Sequence, residues 1–381
     1  MIKRILYTLL IMFPVLASAQ INTDRVMAIG RNALYFEDYV LSIQYFNQVI
    51  NAKPYLSDPY FYRGLAKINL DDFQGAESDC SEAIERNPFV VSAYQVRGLA
   101  RIQQNNFAGA IEDYTKALEF DPENIGVWHN MALCRIRQED YKGAKNDLDK
   151  LIAISPRYTK AYLMRGEVDL KQKDTLAAEK DFGKAIEIDR YDADTWASRA
   201  ILRLQQQRYK DAEADFDHAI RLSTRNSGVY INRALARYHQ NNLRGAMSDY
   251  DIALDIDPNN FIGHYNRGLL RAQVGDDNRA IQDFNFVIEM EPDNMMAIFN
   301  RGLLLDQTGD YKGAIKDYST VINEYPNFLL GYQYRAQARR KIGDVKGADA
   351  DEFKVLKAQL DKQNGVDPNC LLYTSPSPRD Y

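Results

Sequence analysis

An uninterrupted period of 34 residues runs from about residue 23 to about residue 362 of this 381-residue chain, and no other feature constrains its fold as strongly. The stretch Val91 to Asn124 serves as the reference copy. In steps of 34, its Arg97-Gly98 pair recurs as Arg63-Gly64, Arg165-Gly166, Arg267-Gly268 and Arg301-Gly302, and as Arg-Ala at Arg199, Arg233 and Arg335. The same step carries Ala110 to Ala76, Ala144, Ala178, Ala212, Ala246, Ala280, Ala314 and Ala348, and Pro122 to Pro54, Pro88, Pro156, Pro258, Pro292 and Pro326. A gapless repeat of this length is the signature of stacked supersecondary units, each too small to bury its own apolar face. About ten copies are present, beginning near residues 23, 57, 91, 125, 159, 193, 227, 261, 295 and 329.

Each copy reads as two helices. In the reference copy Tyr94, Gly98, Leu99 and Ile102 share one face of a first helix, which Asn105-Asn106 interrupts. Phe107 opens a second helix with Ala110, Ile111, Tyr114, Ala117 and Leu118 on its buried side. Asp121-Pro122 ends it, because the residue before a proline is pushed out of the helical region. Gly98 and Ala110 fall where two antiparallel helices cross closely and a larger side chain would hold the backbones apart. The fold class is therefore all-α, built from tandem helix-turn-helix repeats.

Numbered from the first residue of each copy, position 4 is aromatic at Tyr60, Tyr94, Trp128, Tyr162, Trp196, Tyr230 and Tyr332. Position 24 is aromatic at Phe46, Tyr114, Phe182, Phe216, Tyr250, Phe284 and Tyr318, and position 27 is Ala at Ala83, Ala117, Ala185, Ala219 and Ala253. With small residues at positions 8 and 20 and proline at 32, this pattern resembles the tetratricopeptide repeat. The resemblance covers residues 20–362 and implies a right-handed superhelical solenoid that binds other proteins and performs no catalysis. Fold alone does not name a ligand. The aromatic residues are thereby accounted for as packing.

The copies depart from the family pattern in an orderly way. Position 7 is arginine in eight of them, position 11 is often Arg or Lys, and position 23 is acidic at Asp79, Asp113, Asp181, Asp215, Asp249, Asp283, Asp317 and Asp351. A ligand-binding cation would not need an acid in every copy, so these are read as structural ion pairs, Arg267 with Asp283 and Arg301 with Asp317 among them. The ladder breaks where Met131 replaces arginine while Asp147 is retained, and the copy at 23 has neither partner. Proline is missing at Arg190 and Thr224, where stacking is expected to differ.

The residues offer little for chemistry. His129, His218, His239 and His264 lie in different copies without metal-site spacing, and there is no glycine-rich phosphate loop. Asp71-Asp72 and Asp276-Asp277 fall in inter-helix turns, where caps account for them. Cys80 and Cys134 sit at core-facing positions and read as buried thiols. No cofactor, metal or enzymatic activity is expected. A net charge of −5 without a basic block argues against nucleic acid.

The resemblance implies binding on a concave face lined mainly by first helices, with positions 2, 5, 6, 9, 12 and 13 exposed. Position 6 is asparagine at Asn130, Asn232, Asn266 and Asn300, and a side-chain amide can satisfy the backbone of an extended peptide without reading its sequence. Ile231, Tyr265 and Phe299 at position 5 would add apolar contact, and Asn130 with Lys160 resembles the carboxylate clamp of some family members, incomplete here because Met164 and Val96 stand where polar residues would be needed. The leading expectation is a scaffold for a protein or peptide partner. One alternative is the partner-binding half of a larger regulatory or enzymatic envelope protein, and another is a structural protein that self-associates through its end repeats.

The two ends differ from the repeats. Residues 1–19 carry Lys3 and Arg4, an apolar run from Ile5 to Leu16 and then Ala17-Ser18-Ala19, which reads as a cleaved secretory signal rather than a stable membrane anchor. Export to the periplasm or the cell exterior is expected. Residues 363–369 read as the start of a truncated C-terminal segment, and residues 370–381, containing CLLYTSPSPRD, resemble a translated sequencing adapter. Mass spectrometry of the exported protein is expected to find Gln20 at its amino terminus; an intact Met1 on membrane-bound protein would overturn this reading.

Overall fold

The computed structural model describes residues 22–222 and 225–363. The signal segment, Thr224 and the adapter-like tail lie outside the described residues. Among the described residues are twenty α-helices and no strand, paired as ten hairpins in the register of the sequence period. A typical first helix is Val91–Gln103 and a typical second helix Phe107–Phe120. None is long and apolar enough to cross a membrane.

The chain divides into two compact units, residues 1–188 and 189–381. The division falls beside Arg190, which stands where most copies have proline. The first unit contains the five hairpins from Thr23–Tyr35 with Tyr39–Ala52 through Thr159–Lys171 with Thr175–Ile188. Its core includes Tyr114, Met131, Cys134, Leu148 and Leu151. The second unit runs from Ala193–Gln205 with Tyr209–Arg221 through Leu329–Lys341 with Val345–Gln363. There Phe216, Phe284, Tyr250 and Tyr318 are the large buried rings.

Each first helix ends on one left-handed residue at position 15: Glu37, Asp71, Asn105, Glu139, Lys173, Gln207 and Asn241, then Gly275, Gly309 and Gly343. Position 16 then caps the second helix in most copies, though not where it is Arg208. Gly75 N–H donates to Asp72 Oδ1 at 2.9 Å, Gly109 N–H to Asn106 Oδ1 at 3.1 Å and Gly143 N–H to Asp140 Oδ1 at 2.9 Å. Thus Asp71 forms the turn and Asp72 the cap. Asp276, expected to cap likewise, makes no side-chain cap bond and instead lies 3.4 Å from Arg279 Nη1.

Close approach explains position 8. A Cβ on Gly98 would fall 2.8 Å from Cε1 of Tyr114, and one on Gly166 would fall 2.6 Å from Cε1 of Phe182. Within each unit, successive hairpins join through position 28 of one second helix and position 3 of the next first helix. A Cβ on Gly263 would lie 3.0 Å from Leu254 Cδ2, and one on Gly331 3.0 Å from Ile322 Cγ1. Cys80 and Cys134 are free and buried, and burial pushes their thiols up to about 12 and about 11.

A left-handed backbone costs a side chain about 1–2 kcal/mol that glycine does not incur. Lys173 and Gln207 are exposed at such positions, with φ of 64° and 61°. Lys173→Gly and Gln207→Gly are each expected to raise stability by about 0.5–1 kcal/mol in urea unfolding. A loss of stability would show that these side chains contribute contacts instead.

Candidate functional site

The ion pairs are best built from the buried acid outward. The position-23 aspartates are almost fully buried, and in eight copies a position-7 arginine meets both carboxylate oxygens. Arg267 donates from Nε to Asp283 Oδ2 at 3.2 Å and from Nη2 to Oδ1 at 2.8 Å. Arg301 and Asp317 repeat the arrangement at 2.8 and 2.7 Å. The remaining Nη1 reaches back to position 25 of the preceding copy: Arg63 to Asn47, Arg165 to Asp149, Arg233 to Asp217, Arg267 to Asp251 and Arg301 to Asn285. Each of these arginines therefore closes its own hairpin and ties it to the one before.

Position 4 completes the cluster. The Arg guanidinium lies over the ring at 5.5 Å for Arg63 on Tyr60 and 5.0 Å for Arg199 on Trp196. The polar end of the ring donates to the carbonyl six residues upstream, as Trp128 Nε1 does to Pro122 at 2.8 Å and Tyr162 Oη to Pro156 at 3.1 Å. His264 occupies this slot in its copy. Its Nε2 lies 3.0 Å from Pro258 O, its Nδ1 2.9 Å from Asp283 Oδ1, and its ring stacks on Phe286 at 4.1 Å. The spacing that gives His264 no metal-site partners also places it at position 4, the slot that is aromatic in most copies. Burial pushes the Asp283 carboxyl up, but hydrogen bonds from His264 and Arg267 and the charge of Arg271 outweigh it and hold the group below its usual value.

The other histidines are separate from one another. His218 stacks on Trp196 at 4.3 Å, His239 on Tyr209 at 4.5 Å, and His129 lies with Nδ1 3.3 Å from Tyr158 Oη. Among the described residues no three metal-ligating side chains converge.

At some junctions a second bridge joins position 11 to position 21 of the preceding copy. Arg101 meets Glu77 at 2.8 Å and Arg237 meets Glu213 at 2.7 Å. Between the copies at 125 and 159 its sign is reversed, with Lys145 at position 21 and Asp169 at position 11, 2.5 Å apart.

The expected asparagine track requires correction. Asn232, Asn266 and Asn300, and with them Ile231, Tyr265 and Phe299, are buried rather than exposed. Neighbouring helices cover them. Asn300 Nδ2 donates to Tyr265 Oη of the preceding copy at 3.2 Å, and Phe299 packs edge-on against Phe328 and Tyr334 at 5.0 and 5.9 Å. Ile231 faces Gly263 of the next copy. Asn266, only 2% exposed, has no protein partner for either Oδ1 or Nδ2. In the first unit Asn130 is half-buried and Lys160 exposed; the charge of Lys160 acts on His129, whose pKa is lowered chiefly by burial.

Where Met131 interrupts the ladder, its sulfur lies 4.0 Å from Thr115 Oγ1, in place of the usual arginine contact. Asp147 keeps Arg135 Nε 3.0 Å from its Oδ2, but the pair is not aligned for a hydrogen bond. Burial, only partly offset by the charges of Arg135 and Lys150, pushes Asp147 from 3.8 up to about 6. A raised carboxylate pKa means that the folded state binds the extra proton, so this contribution is fully present below pH 3.8 and is lost as pH rises to about 6. Asp147→Asn is thus expected to stabilise the protein by about 1–3 kcal/mol at neutral pH and by almost nothing near the ordinary carboxylate range. In a Met131→Arg background the same change is expected to destabilise; pH-resolved denaturant titrations would read both effects, and a pH-independent Asp147→Asn difference would refute the raised pKa.

Family models described as TPR repeat or tetratricopeptide repeat match residues 98–134, 125–158, 159–192, 198–261 and 265–327, together more than half of the chain. No curated protein matches it. Among solved structures, a tetratricopeptide repeat protein from Parabacteroides merdae is similar with a TM-score of 0.51 and 21% identity, over 65% of this chain and 98% of that one. PilF of Pseudomonas aeruginosa gives a TM-score of 0.46 at 20% identity, over 53% and 92% of the two chains. YrrB, described as a TPR protein with an unusual peptide-binding site, gives 0.40 at 19%, over 52% and 97%. With hairpins, turns and small-residue crossings all falling in one 34-residue register, the chain belongs to the tetratricopeptide repeat family.

Proposed function

We propose that this chain is a non-catalytic, exported scaffold that holds an extended, apolar-rich segment of a partner protein along the first helices of the copies beginning at 227, 261, 295 and 329. The carrying observation is a change at position 2. In five earlier copies this position is exposed and polar or minimal, as Asp58, Ser92, Gly126, Lys160 and Asp194. Later it becomes Ile262, Met296 and Leu330, half-buried, with half-buried Leu269 and Leu303 at position 9. Apolar side chains left partly in water gain from being covered, at about 25 cal/mol per Å².

The buried asparagines form the floor of this track. Asn266 is flanked on its own helix by Ile262 and Leu269, one turn to either side. A buried amide without a partner costs about 1–3 kcal/mol. The main chain of an extended segment offers both a donor and an acceptor to such an amide once the flanking side chains shift. Binding would then recover an energy that the free protein forgoes. The export component rests on the leader-like residues 1–19.

A random peptide library selected on the parent protein supplies a probe. Asn266→Leu is expected to raise the melting temperature, because an unpaired amide is removed, yet to weaken the selected peptides roughly tenfold, or about 1.4 kcal/mol. Unchanged affinity would place binding elsewhere on the chain. A fall in stability would show that the amide is already satisfied.

A further inference from the structure

The end copies differ from the others in ways that match each other. At seven junctions inside the units, Nη1 of a position-7 arginine donates to a polar residue at position 25 of the preceding copy: Asn47, Ser81, Asp149, Asp217, Asp251, Asn285 or Ser319. In the copy beginning at 23, position 7 is Ile29, 37% exposed on its first helix. In the copy beginning at 329, position 25 is Phe353, 66% exposed on its second helix. The polar pair used inside the protein is thus replaced at both ends by an apolar residue.

Positions 14 and 17 face each other across such junctions and are apolar in several internal copies as well, as Leu70 and Val274 at 14 and Phe73 and Phe107 at 17. Inside the units, Gln104 and Gln240 at position 14 reach the carbonyls of Phe73 and Tyr209 at position 17 of the preceding copy, at 3.5 and 3.4 Å. At the ends these positions are Phe36 and Val345, both exposed and both apolar. Position 11 supplies arginine to an acid at position 21 at some junctions, as Arg101 does to Glu77, whereas position 21 is Ile111, Met247, Ile281 or Ile315 at others. The end copies carry Ala33 and Asp349 there, and Asp349 is already paired with Arg340 at 2.9 Å.

From the match between Ile29 and Phe353 we infer that copies of this chain associate end to end, the first helix Thr23–Tyr35 of one seating on the last helix Val345–Gln363 of another in the register of the internal junctions. Ile29 then covers Phe353 and Phe36 covers Val345. Leu356, 52% exposed at the position that elsewhere receives the next hairpin, and Leu360 are also covered. Position 3, small in most copies, is Arg25 at this end. Its stem lies along Leu356, and its charge falls near the carboxyl end of the last helix, where the helix dipole and Asp361 favour a cation. An ordinary hairpin of this protein would not fit the same face, because its arginine would meet Phe353. Each face belongs wholly to one unit. The contact joins unlike surfaces and leaves one of each free on a pair of chains, so further chains can add.

Sedimentation equilibrium of the full chain tests this inference independently of peptide binding. The parent is expected to show an average mass that climbs with concentration past that of a dimer. Ile29→Arg alone and Phe353→Asp alone are expected to remain single chains with unchanged melting curves, since both residues are exposed. Mixed together, these two variants keep one parental junction and gain a second in which the introduced arginine meets the introduced aspartate, so they are expected to associate with each other although neither does so alone. The double variant Ile29→Arg/Phe353→Asp recreates the internal Arg–Asp pair and is expected to associate again. A parent that stays a single chain up to about 1 mM, an Ile29→Arg variant that still pairs with itself, or a mixture of the singles that stays unassociated would each overturn the inference.

Discussion

A carboxylate enclosed between two helices is the constraint on which each of the ladder-bearing hairpins depends. Removing such a charge from water costs several kcal/mol unless a cation and hydrogen bonds replace the lost solvent. The position-7 arginine supplies both, using Nε and Nη2 on its own aspartate, and its planar fork leaves Nη1 pointing to the preceding copy. Lysine could neutralise the acid but could not hold three directions at once. Asp147 shows the counterfactual: with Met131 in the arginine's place, its carboxyl is pushed up to about 6.

The same arginine orders the rest of the hairpin. Lying over the position-4 ring, it holds that ring where the polar tip meets an upstream carbonyl, which fixes the entry of the first helix. The position-24 ring then fills the space left by a small residue at position 8. Ion pair, ring and glycine are mutually dependent, so the period persists without insertion. His264 keeps the slot's hydrogen bond to the carbonyl while adding one to Asp283.

Most of the fold was legible in the sequence, because a period repeated ten times averages out local noise. Helix pairing, the Asn105 turn, the buried thiols and the Arg267–Asp283 geometry all follow from register alone. What a single copy cannot reveal is what its neighbour covers. Position 6 faces outward on an isolated helix, but in the folded chain Asn266 and Asn300 are buried, and Asn300 meets Tyr265 of the preceding first helix. In the first unit, with His129 at position 5, Asn130 is only half-buried. The third hydrogen bond of seven of the position-7 arginines was hidden for the same reason, since its acceptor lies in the preceding copy and varies among Asn, Ser and Asp.

The reversed bridge between Lys145 and Asp169 bears on how so many similar hairpins find their order. Repeat proteins misassemble when one unit docks on a look-alike. If the hairpin carrying Asp169 skipped its neighbour and settled on the copies bearing Glu77 or Glu213, two acids would meet where the correct pairing places lysine at 2.5 Å. One exchanged pair of charges thus acts as a key cut differently from its neighbours. It gives a nearly periodic chain an address in its interior, so that its hairpins are not interchangeable parts.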